Sequence, residues 1–241
     1  MATPLKQAKP VAGRPRNDYR QYDDLVDQWW RTDGSFAALH WLAEARARLI
    51  PPASPGQVAV DVACGGGLMA PYLKGYRHVG VDLSEASLRL ARDHGIQAVR
   101  GDANALPLPD ACADLVVAGE IFEHVEDLEG VVAEVARVLK PGGTMVCDTI
   151  NDTWWARLSL VTVGERMPGG PPPQCHDPRL FVAPDRLRAI CRDVGIELSL
   201  RGLRFSVPEY AAFLVSRARK VRMVPTKSLA GVYQGVGRKR Q

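Results

Sequence analysis

Short apolar runs alternate with helical patterns between residues 58 and 150. Five runs have the length and the composition of buried strands: 58–63, 78–83, 96–103, 113–119 and 144–150. The clearest helical pattern between them is an apolar stripe along residues 128–139, at the spacing of an amphipathic helix. Strands that alternate with helices predict an α/β fold: a doubly wound, largely parallel sheet with helices on both faces.

The N-terminal segments follow different patterns. Residues 1–17 combine three prolines with scattered basic residues, which predicts a flexible leader. Residues 18–52 have helical spacing up to Pro51-Pro52, which predicts a helical cap. We expect residues 18–241 to form a single domain.

The pattern changes again after residue 151. Residues 152–184 mix an apolar helical piece with a Pro/Gly-rich stretch, which predicts a lid inserted after the fifth strand. The runs 196–205 and 229–236 are expected to complete the sheet, and residues 206–241 form a basic C-terminal part.

Charge is distributed unevenly around a formal net value of +4. Residues 1–20 contain five Lys/Arg and one acid, and residues 201–241 contain ten Lys/Arg and one acid, which leaves residues 21–200 with 16 bases and 25 acids. An acidic body with basic ends differs from the basic working face of a nucleic-acid reader. We therefore expect no nucleic-acid partner.

The cysteines and the apolar runs indicate in which cellular compartment the protein lies. Five widely spaced cysteines, with no C-x-x-C, argue against a disulfide scaffold or a zinc ribbon and favour a reducing environment. The first 30 residues contain no apolar stretch typical of a secretory signal, and no apolar run approaches 18 residues. We expect a cytoplasmic location; the sequence leaves the oligomeric state open.

Acids and glycines stand where the predicted parallel strands end. In open parallel sheets, ligands bind beyond these carboxyl ends. A carboxylate after the second strand can accept hydrogen bonds from both hydroxyls of a ribose, and one after the third can accept from an adenine amino group. The residues are Asp61 and the glycines 65–67 after strand one, Asp82 after strand two, Asp102 after strand three, and Gly119-Glu120 after strand four.

The adenosine ligand predicted here carries no phosphate. A dinucleotide site uses G-x-G-x-x-G before a helix, whereas C-G-G-G-L-M-A (64–70) lacks the third glycine, which argues against an NAD-linked oxidoreductase. Acids at three strand ends would repel phosphates and suit a cation. S-adenosylmethionine (SAM), with its sulfonium and amino group, fits these requirements.

Four motifs together resemble the class I SAM-dependent methyltransferases: D-V-A-C-G-G-G (61–67), G-V-D-L-S (80–84), G-D-A (101–103) and L-K-P-G-G (139–143). Outside this core, residues 27–40, G-E-I-F-E-H-V (119–125) and H-D-P-R-L-F-V-A-P (176–184) are similar to the ubiquinone-biosynthesis O-methyltransferases of the 3-demethylubiquinol type. The resemblance covers about residues 20–200 and fades in the last forty.

This resemblance implies a Rossmann-like, seven-stranded sheet whose last strand is antiparallel. It places Arg46 at the cofactor's carboxylate, Gly65 and Gly67 along its methionine part, Asp82 at the ribose and Gly119 behind the cofactor. With the strand ends, the predicted cofactor-binding set is Arg46, Asp61, Ala63, Gly65, Gly67, Asp82, Leu83, Asp102, Ala103 and Gly119.

The cluster after strand four is the candidate for chemistry. Glu120, Glu123 and His124 have the spacing that one helical face presents, and family members have been assigned a divalent metal here. Two carboxylates and an imidazole suit Mg²⁺ or another divalent cation; the alternative is a histidine that only packs or caps. His124, with Glu120, is the first candidate for removing the acceptor's proton, and His176 is the second.

Several apolar residues admit two interpretations. Trp29 and Trp30 either stack on an aromatic or prenylated substrate or pack the cap onto the sheet. Residues 153–167 either form a lid over the pocket or lie in a membrane interface, at the inner face of the membrane.

The predicted function is SAM-dependent O-methylation of a phenolic or catechol-like hydroxyl on a small aromatic molecule. The same core motifs would serve another small-molecule acceptor, such as a natural-product phenol, a sugar or an amine, or a non-catalytic SAM-binding protein.

Overall fold

The computed structural model describes residues 14–241. They form one eight-stranded sheet in the order β3-β2-β1-β4-β5-β8-β6-β7. The strands are β1 (Val58–Val62), β2 (Arg77–Asp82), β3 (Gln97–Arg100), β4 (Ala113–Gly119), β5 (Leu139–Ile150), β6 (Ile196–Phe205), β7 (Met223–Thr226) and β8 (Val232–Lys239).

The five predicted strands of the core, and their parallel arrangement, are confirmed. β1 pairs in parallel with β2 and β4, β2 with β3, and β4 with β5. Asp61 lies beside Gly80 and Val117, and Gly119 lies beside Asp148. The parallel register therefore brings the predicted strand-end residues to one edge of the sheet.

Helices flank this core. Ser84 caps its helix by accepting a hydrogen bond from the backbone N–H of Ser87, and Asp127 caps the next by accepting from Gly130. Val131, Val132 and Val135 of the predicted stripe are fully buried against the sheet. The α-helices are α1 (Gln21–Asp24), α2 (Ala37–Ala47), α3 (Glu85–Asp93), α4 (Leu128–Val138), α5 (Trp154–Ala156), α6 (Pro184–Asp193) and α7 (Val207–Val215).

The strand count differs from the seven expected. The last strand, β8, is antiparallel to β5 and β6, as predicted, but β7 adds an eighth strand at the edge, antiparallel to β6. β5 also begins five residues earlier than predicted, because Pro141-Gly142-Gly143 forms a bulge within the strand instead of preceding it. Gly142, at φ +73°, supplies the left-handed conformation that this bulge needs.

The cap is less regular than its spacing predicts. α1 and a 3₁₀ turn (Val26–Gln28) precede α2, whose Trp41, Leu42 and Ala45 are buried in a cluster shared with the lid and α7. Of the predicted leader, residues 1–13 lie outside the described residues. Arg16 and Asn17, in contrast, make side-chain hydrogen bonds to the lid and to the loop after β4.

The lid consists of α5, a π-helical turn (Arg157–Val163), a 3₁₀ turn (Gly164–Arg166) and a proline-rich loop. Within residues 14–241, no helix combines the length and the apolar character needed to cross a bilayer.

We predict that Gly202→Ala destabilises the edge of the sheet where β7 pairs with β6. A Cβ at Gly202 would overlap the carbonyl of Ser228, so the β7–β8 connection, which contains Ser228, would have to shift. We expect a loss of about 1–3 kcal/mol in the free energy of unfolding, measured by urea titration. Gly231→Ala is the control, because a Cβ there meets no atom within 4 Å. Equal stability of the two variants would contradict this packing.

Candidate active site

A cavity of about 240 Å³ lies at the carboxyl edge of the sheet. Its floor is formed by the ends of β1, β2 and β4, its roof by the cap, and one wall by lid residues 171–176. Nearly every residue predicted to bind the cofactor lines it: Arg46, Asp61, Ala63, Gly65, Asp82, Leu83, Asp102, Ala103 and Gly119.

Gly67 is placed differently. It is absent from the cavity lining, and a Cβ there would press on Ile96 and on the backbone of Ala91 in α3. At φ +84° it also adopts a left-handed conformation. Gly67 therefore serves helix–loop packing in this structure.

Asp82 connects the glycine loop to α3. One carboxylate oxygen accepts from the backbone N–H of Gly65 and the other from that of Ser84, both at 2.8 Å. Burial raises the pKa of Asp82, although the two backbone hydrogen bonds oppose this shift. Each oxygen keeps an acceptor site, so the carboxylate can receive a ligand's paired hydroxyls.

Tryptophans cover the glycine loop. The indole of Trp29 lies against Gly65 and Gly66, where a Cβ would overlap the ring. Trp30 donates a hydrogen bond from Nε1 to the carbonyl of Gly66 at 2.9 Å and stacks on His94. The packing interpretation therefore describes both residues, although Trp29 also lines the cavity.

Arg46 and Asp148 form a buried ion pair beneath the cavity. Nε and Nη2 of Arg46 each donate to one oxygen of Asp148 at 2.6 Å. The guanidinium crosses the face of Gly119, where any Cβ would overlap it. Nη1, which donates to the thioether of Met69 at 3.4 Å, and the second N–H of Nη2 remain for a ligand's carboxylate.

Glu120 does not share a helical face with Glu123 and His124. It has φ +54°, and the turn that follows is a three-residue 3₁₀ helix, Phe122–His124. Its carboxyl group lies among the charges of Glu123, Asp148 and Arg46, and its Oε1 has no hydrogen-bond partner among the described residues. Burial, then the charges of Glu123 and Asp148, raise the pKa of Glu120.

Glu123 is fully buried behind the cavity wall. Its Oε2 accepts a hydrogen bond from the hydroxyl of Thr149 at 2.7 Å, while Oε1 has no partner within residues 14–241. Burial raises the pKa of Glu123 to about 7. An acid with one orphaned oxygen in such a position is suited to hold a proton or a cation.

His124 and His176 meet over this acid. Their rings stack with centroids 5.3 Å apart, and both line the cavity. Burial lowers the pKa of His124 to about 4 and also lowers that of His176, which favours the neutral form of both imidazoles at pH 7. Ligand atoms of Glu123, His124 and His176 lie within 4.8 Å of one another; no such group in the described part of the chain includes Glu120.

Charge in the cavity favours a cationic ligand. Among the lining residues, Asp61, Asp82, Asp102 and Glu120 carry carboxylates, and Arg46 carries the only guanidinium, already paired with Asp148. Oδ2 of Asp61 has no hydrogen-bond partner in the described structure, and it faces Nε2 of His78 at 3.4 Å. Neutral histidines add no positive charge.

Sequence reasoning missed three residues of this site. Asn17 lines the cavity from within the predicted leader, and Tyr22 stacks on both Trp29 and Phe36, with ring centroids 5.9 Å from each. Asp148, in a buried strand, is the partner of Arg46. A charged residue inside the otherwise uncharged strand 144–150 was the one signal available.

Comparisons with known proteins show that this chain is similar to methyltransferases. The methyltransferase domain family matches residues 60–147. A ubiquinone biosynthesis O-methyltransferase from Hahella chejuensis is 30% identical, over 82% of this chain and 88% of its own length. Another, from Azoarcus sp., is 32% identical, over 83% and 91%. The solved structure of a SAM-dependent methyltransferase from Thermotoga maritima has the same fold, with a TM-score of 0.68 at 21% identity, over 92% of this chain and 98% of its own.

We predict that Asp82→Ala weakens binding of S-adenosylhomocysteine about 100-fold, because two charge-assisted hydrogen bonds to the ribose would be lost. Isothermal titration calorimetry measures the effect. Asp93→Ala, at the exposed end of α3, is the control. Unchanged affinity in Asp82→Ala would show that the ribose does not bind to this carboxylate.

Proposed function

The chain belongs to the family of ubiquinone biosynthesis O-methyltransferases, and we propose that it transfers the methyl group of SAM to a phenolic hydroxyl of a quinol-type or catechol-like aromatic molecule. The observation that carries the proposal is a single cavity lined both by the strand-end acids and by the His124–His176 pair. Cofactor and acceptor would therefore meet in one space.

The acidic lining supports the choice of cofactor. SAM has a sulfonium and an ammonium group, which the carboxylates at the strand ends stabilise, and its one carboxylate can use Nη1 of Arg46. After transfer the sulfonium becomes a neutral thioether, so the same acids hold the product less strongly.

Aromatic side chains support an aromatic acceptor. Tyr22, Trp29 and Phe36 form a stacked group on the roof, with ring centroids 4.5–5.9 Å apart. Tyr22 also meets His124 edge-on at 6.4 Å. A planar ring under this roof would place its hydroxyl near the imidazole.

Catalysis would depend mainly on how the site positions the methyl group and the acceptor oxygen. The S–CH₃ bond breaks as the O–CH₃ bond forms, and holding the two atoms in line supplies much of the rate. The hydroxyl must lose its proton, and an imidazole nitrogen of His124 is the proposed acceptor, with His176 as the alternative. Asp61, Asp82 and Asp102 bind the cofactor.

A divalent cation fits the same cluster. The orphaned Oε1 of Glu123 and the two neutral imidazoles of His124 and His176 form a set of donors that Mg²⁺, Mn²⁺ or Zn²⁺ accepts. Glu120, which lies outside this group, would stay with Arg46 and Asp148. A bound cation would lower the pKa of the acceptor's hydroxyl.

The lid surface supports contact with a membrane. Trp154, Trp155, Leu158 and Val163 are 73%, 49%, 42% and 44% exposed on the outer side of α5 and the π-helical turn. On the inner side, Ala156 is buried and Leu160 packs on the core. Among the described residues that line the cavity, the lid contributes Pro171, Pro172, Cys175 and His176 and none of residues 153–167, so the lining gives no support to the interpretation of 153–167 as a cover over the pocket. We propose peripheral contact with the inner face of a membrane through residues 153–167.

We predict that the protein transfers the methyl group of SAM to catechols. Mass spectrometry of the methylated product detects this transfer. Removal of metals with EDTA is expected to lower the rate at least tenfold, with recovery on adding Mg²⁺ or Zn²⁺.

The variant Glu123→Gln is expected to prevent this recovery while leaving S-adenosylhomocysteine binding intact; Glu126→Gln, on the exposed loop before α4, is its control. Full activity in EDTA would mean that His124 removes the proton of the acceptor's hydroxyl without a metal. Absence of transfer to any catechol, with the cofactor bound, would overturn the proposed acceptor class.

We predict that Trp154→Ser/Trp155→Ser reduces flotation with phosphatidylglycerol-containing liposomes roughly tenfold, because two large apolar side chains leave the interface. The control is Tyr72→Ser, since Tyr72 is 39% exposed elsewhere on the molecule. Flotation equal to that of the unaltered protein would leave the lid without a membrane role.

A further inference from the structure

Asn17 contacts the candidate catalytic histidine from the N-terminal side of the cavity. Its side-chain Nδ2 donates a hydrogen bond to the carbonyl of His124 at 2.9 Å, and its Oδ1 lies 2.5 Å from Nδ1 of the same residue. Its backbone N–H donates to the carbonyl of Gln174 in the lid, also at 2.9 Å. Asn17 adopts φ +62°, a conformation that asparagine tolerates better than most residues.

The geometry fixes which way the amide of Asn17 faces. A backbone carbonyl only accepts, so the group facing the carbonyl of His124 must be the NH₂ of Asn17. The amide oxygen then faces Nδ1, and that nitrogen must carry the proton for a hydrogen bond to form. The neutral ring consequently keeps its lone pair on Nε2.

The other ring nitrogen is available for chemistry. Within residues 14–241, Nε2 of His124 has no hydrogen-bond partner, and the residue lines the cavity. A lone pair on Nε2 is needed to take a proton from an acceptor, and it is equally needed to ligate a cation. The opposite tautomer would turn an N–H toward the acceptor and could do neither.

Arg16 holds the segment that presents Asn17. Its Nε donates to the carbonyl of His176 at 2.6 Å, and its Nη2 pairs with the buried carboxylate of Glu165 at 2.5 Å. Glu165 also accepts from the backbone N–H of Gln174. Asn17 is therefore anchored on the lid while its side chain reaches the loop after β4.

We propose that Asn17 is a positioning residue, which holds His124 in the Nδ1–H tautomer so that Nε2 faces the reaction. The proposal deepens the proposed function and rests on it for its catalytic consequence. When no cation occupies the lone pair of Nε2, the acceptor's proton passes to Nε2 during transfer, as the S–CH₃ bond breaks and the O–CH₃ bond forms. The Nδ1–H stays on Oδ1 of Asn17, and the products are the methyl ether, S-adenosylhomocysteine and the imidazolium.

The first test reads the tautomer directly. In ¹⁵N-histidine-labelled protein without added acceptor, long-range ¹H–¹⁵N spectra should show His124 with a protonated Nδ1 and an unprotonated Nε2. The resonance is assigned by its loss in His124→Gln. A protonated Nε2 in the unaltered protein would overturn the proposal, whatever the reaction.

Variants provide the second test. Asn17→Ala should give mixed tautomers and lower kcat about 10- to 100-fold with little change in KM, as removal of a partner to an imidazole typically does. Asn17→Asp keeps an acceptor oxygen and should restore the Nδ1–H tautomer. Asp18→Asn, at the neighbouring position outside the cavity lining, is the control.

The outcomes separate this inference from the proposed function. An unchanged tautomer or an unchanged kcat in Asn17→Ala would overturn the positioning role, even if catechols are methylated. The expected tautomers together with no transfer to any catechol would support the positioning of His124 and overturn only the acceptor class.

Discussion

The buried ion pair between Arg46 and Asp148 is the interaction on which the site depends. It joins α2 of the cap to the end of β5, and both side chains are almost completely shielded from water. Breaking such a pair leaves an uncompensated charge in the interior, at a cost of about 3–5 kcal/mol. The cap is therefore fastened to the sheet directly beneath the cavity. Gly119 must lack a side chain for the guanidinium to pass.

This pair also determines the charge that a ligand must bring. Because Asp148 takes two nitrogens of Arg46, little positive charge remains for Asp61, Glu120 and Glu123. Burial first, and the charge of Asp148 in addition, raise the pKa values of both glutamates. A cationic cofactor on one side, and a proton or a divalent cation on the other, would each supply positive charge.

The convergence of the strand ends was predictable because the sequence alternates apolar strands with helical segments. Once β1 to β5 are recognised as parallel, Asp61, Asp82 and Asp102 must converge at one edge. Their sequence spacing carries this information, and the cavity lining matches it.

Local backbone geometry and long-range contacts were not predictable in this way. The helical spacing of Glu120, Glu123 and His124 suggested one shared face, but the positive φ of Glu120 turns it away. A non-glycine residue in that conformation has no signature in one sequence. Asn17 was missed for a different reason: proline and basic residues predict a leader, and nothing in their pattern encodes contacts with His124 or Gln174, more than 100 positions away.

The parts that close the site are connected to the surface proposed to meet a membrane. Val163, which is exposed, is followed immediately by the 3₁₀ turn that contains Glu165, the buried partner of Arg16. Arg16 in turn adjoins Asn17 and holds the carbonyl of His176. A short series of hydrogen bonds thus links the turn next to the exposed lid surface with the carbonyl of His176 and, through the neighbouring Asn17, with the ring of His124. The surface proposed to meet a membrane and the proposed proton acceptor are therefore parts of one connected assembly.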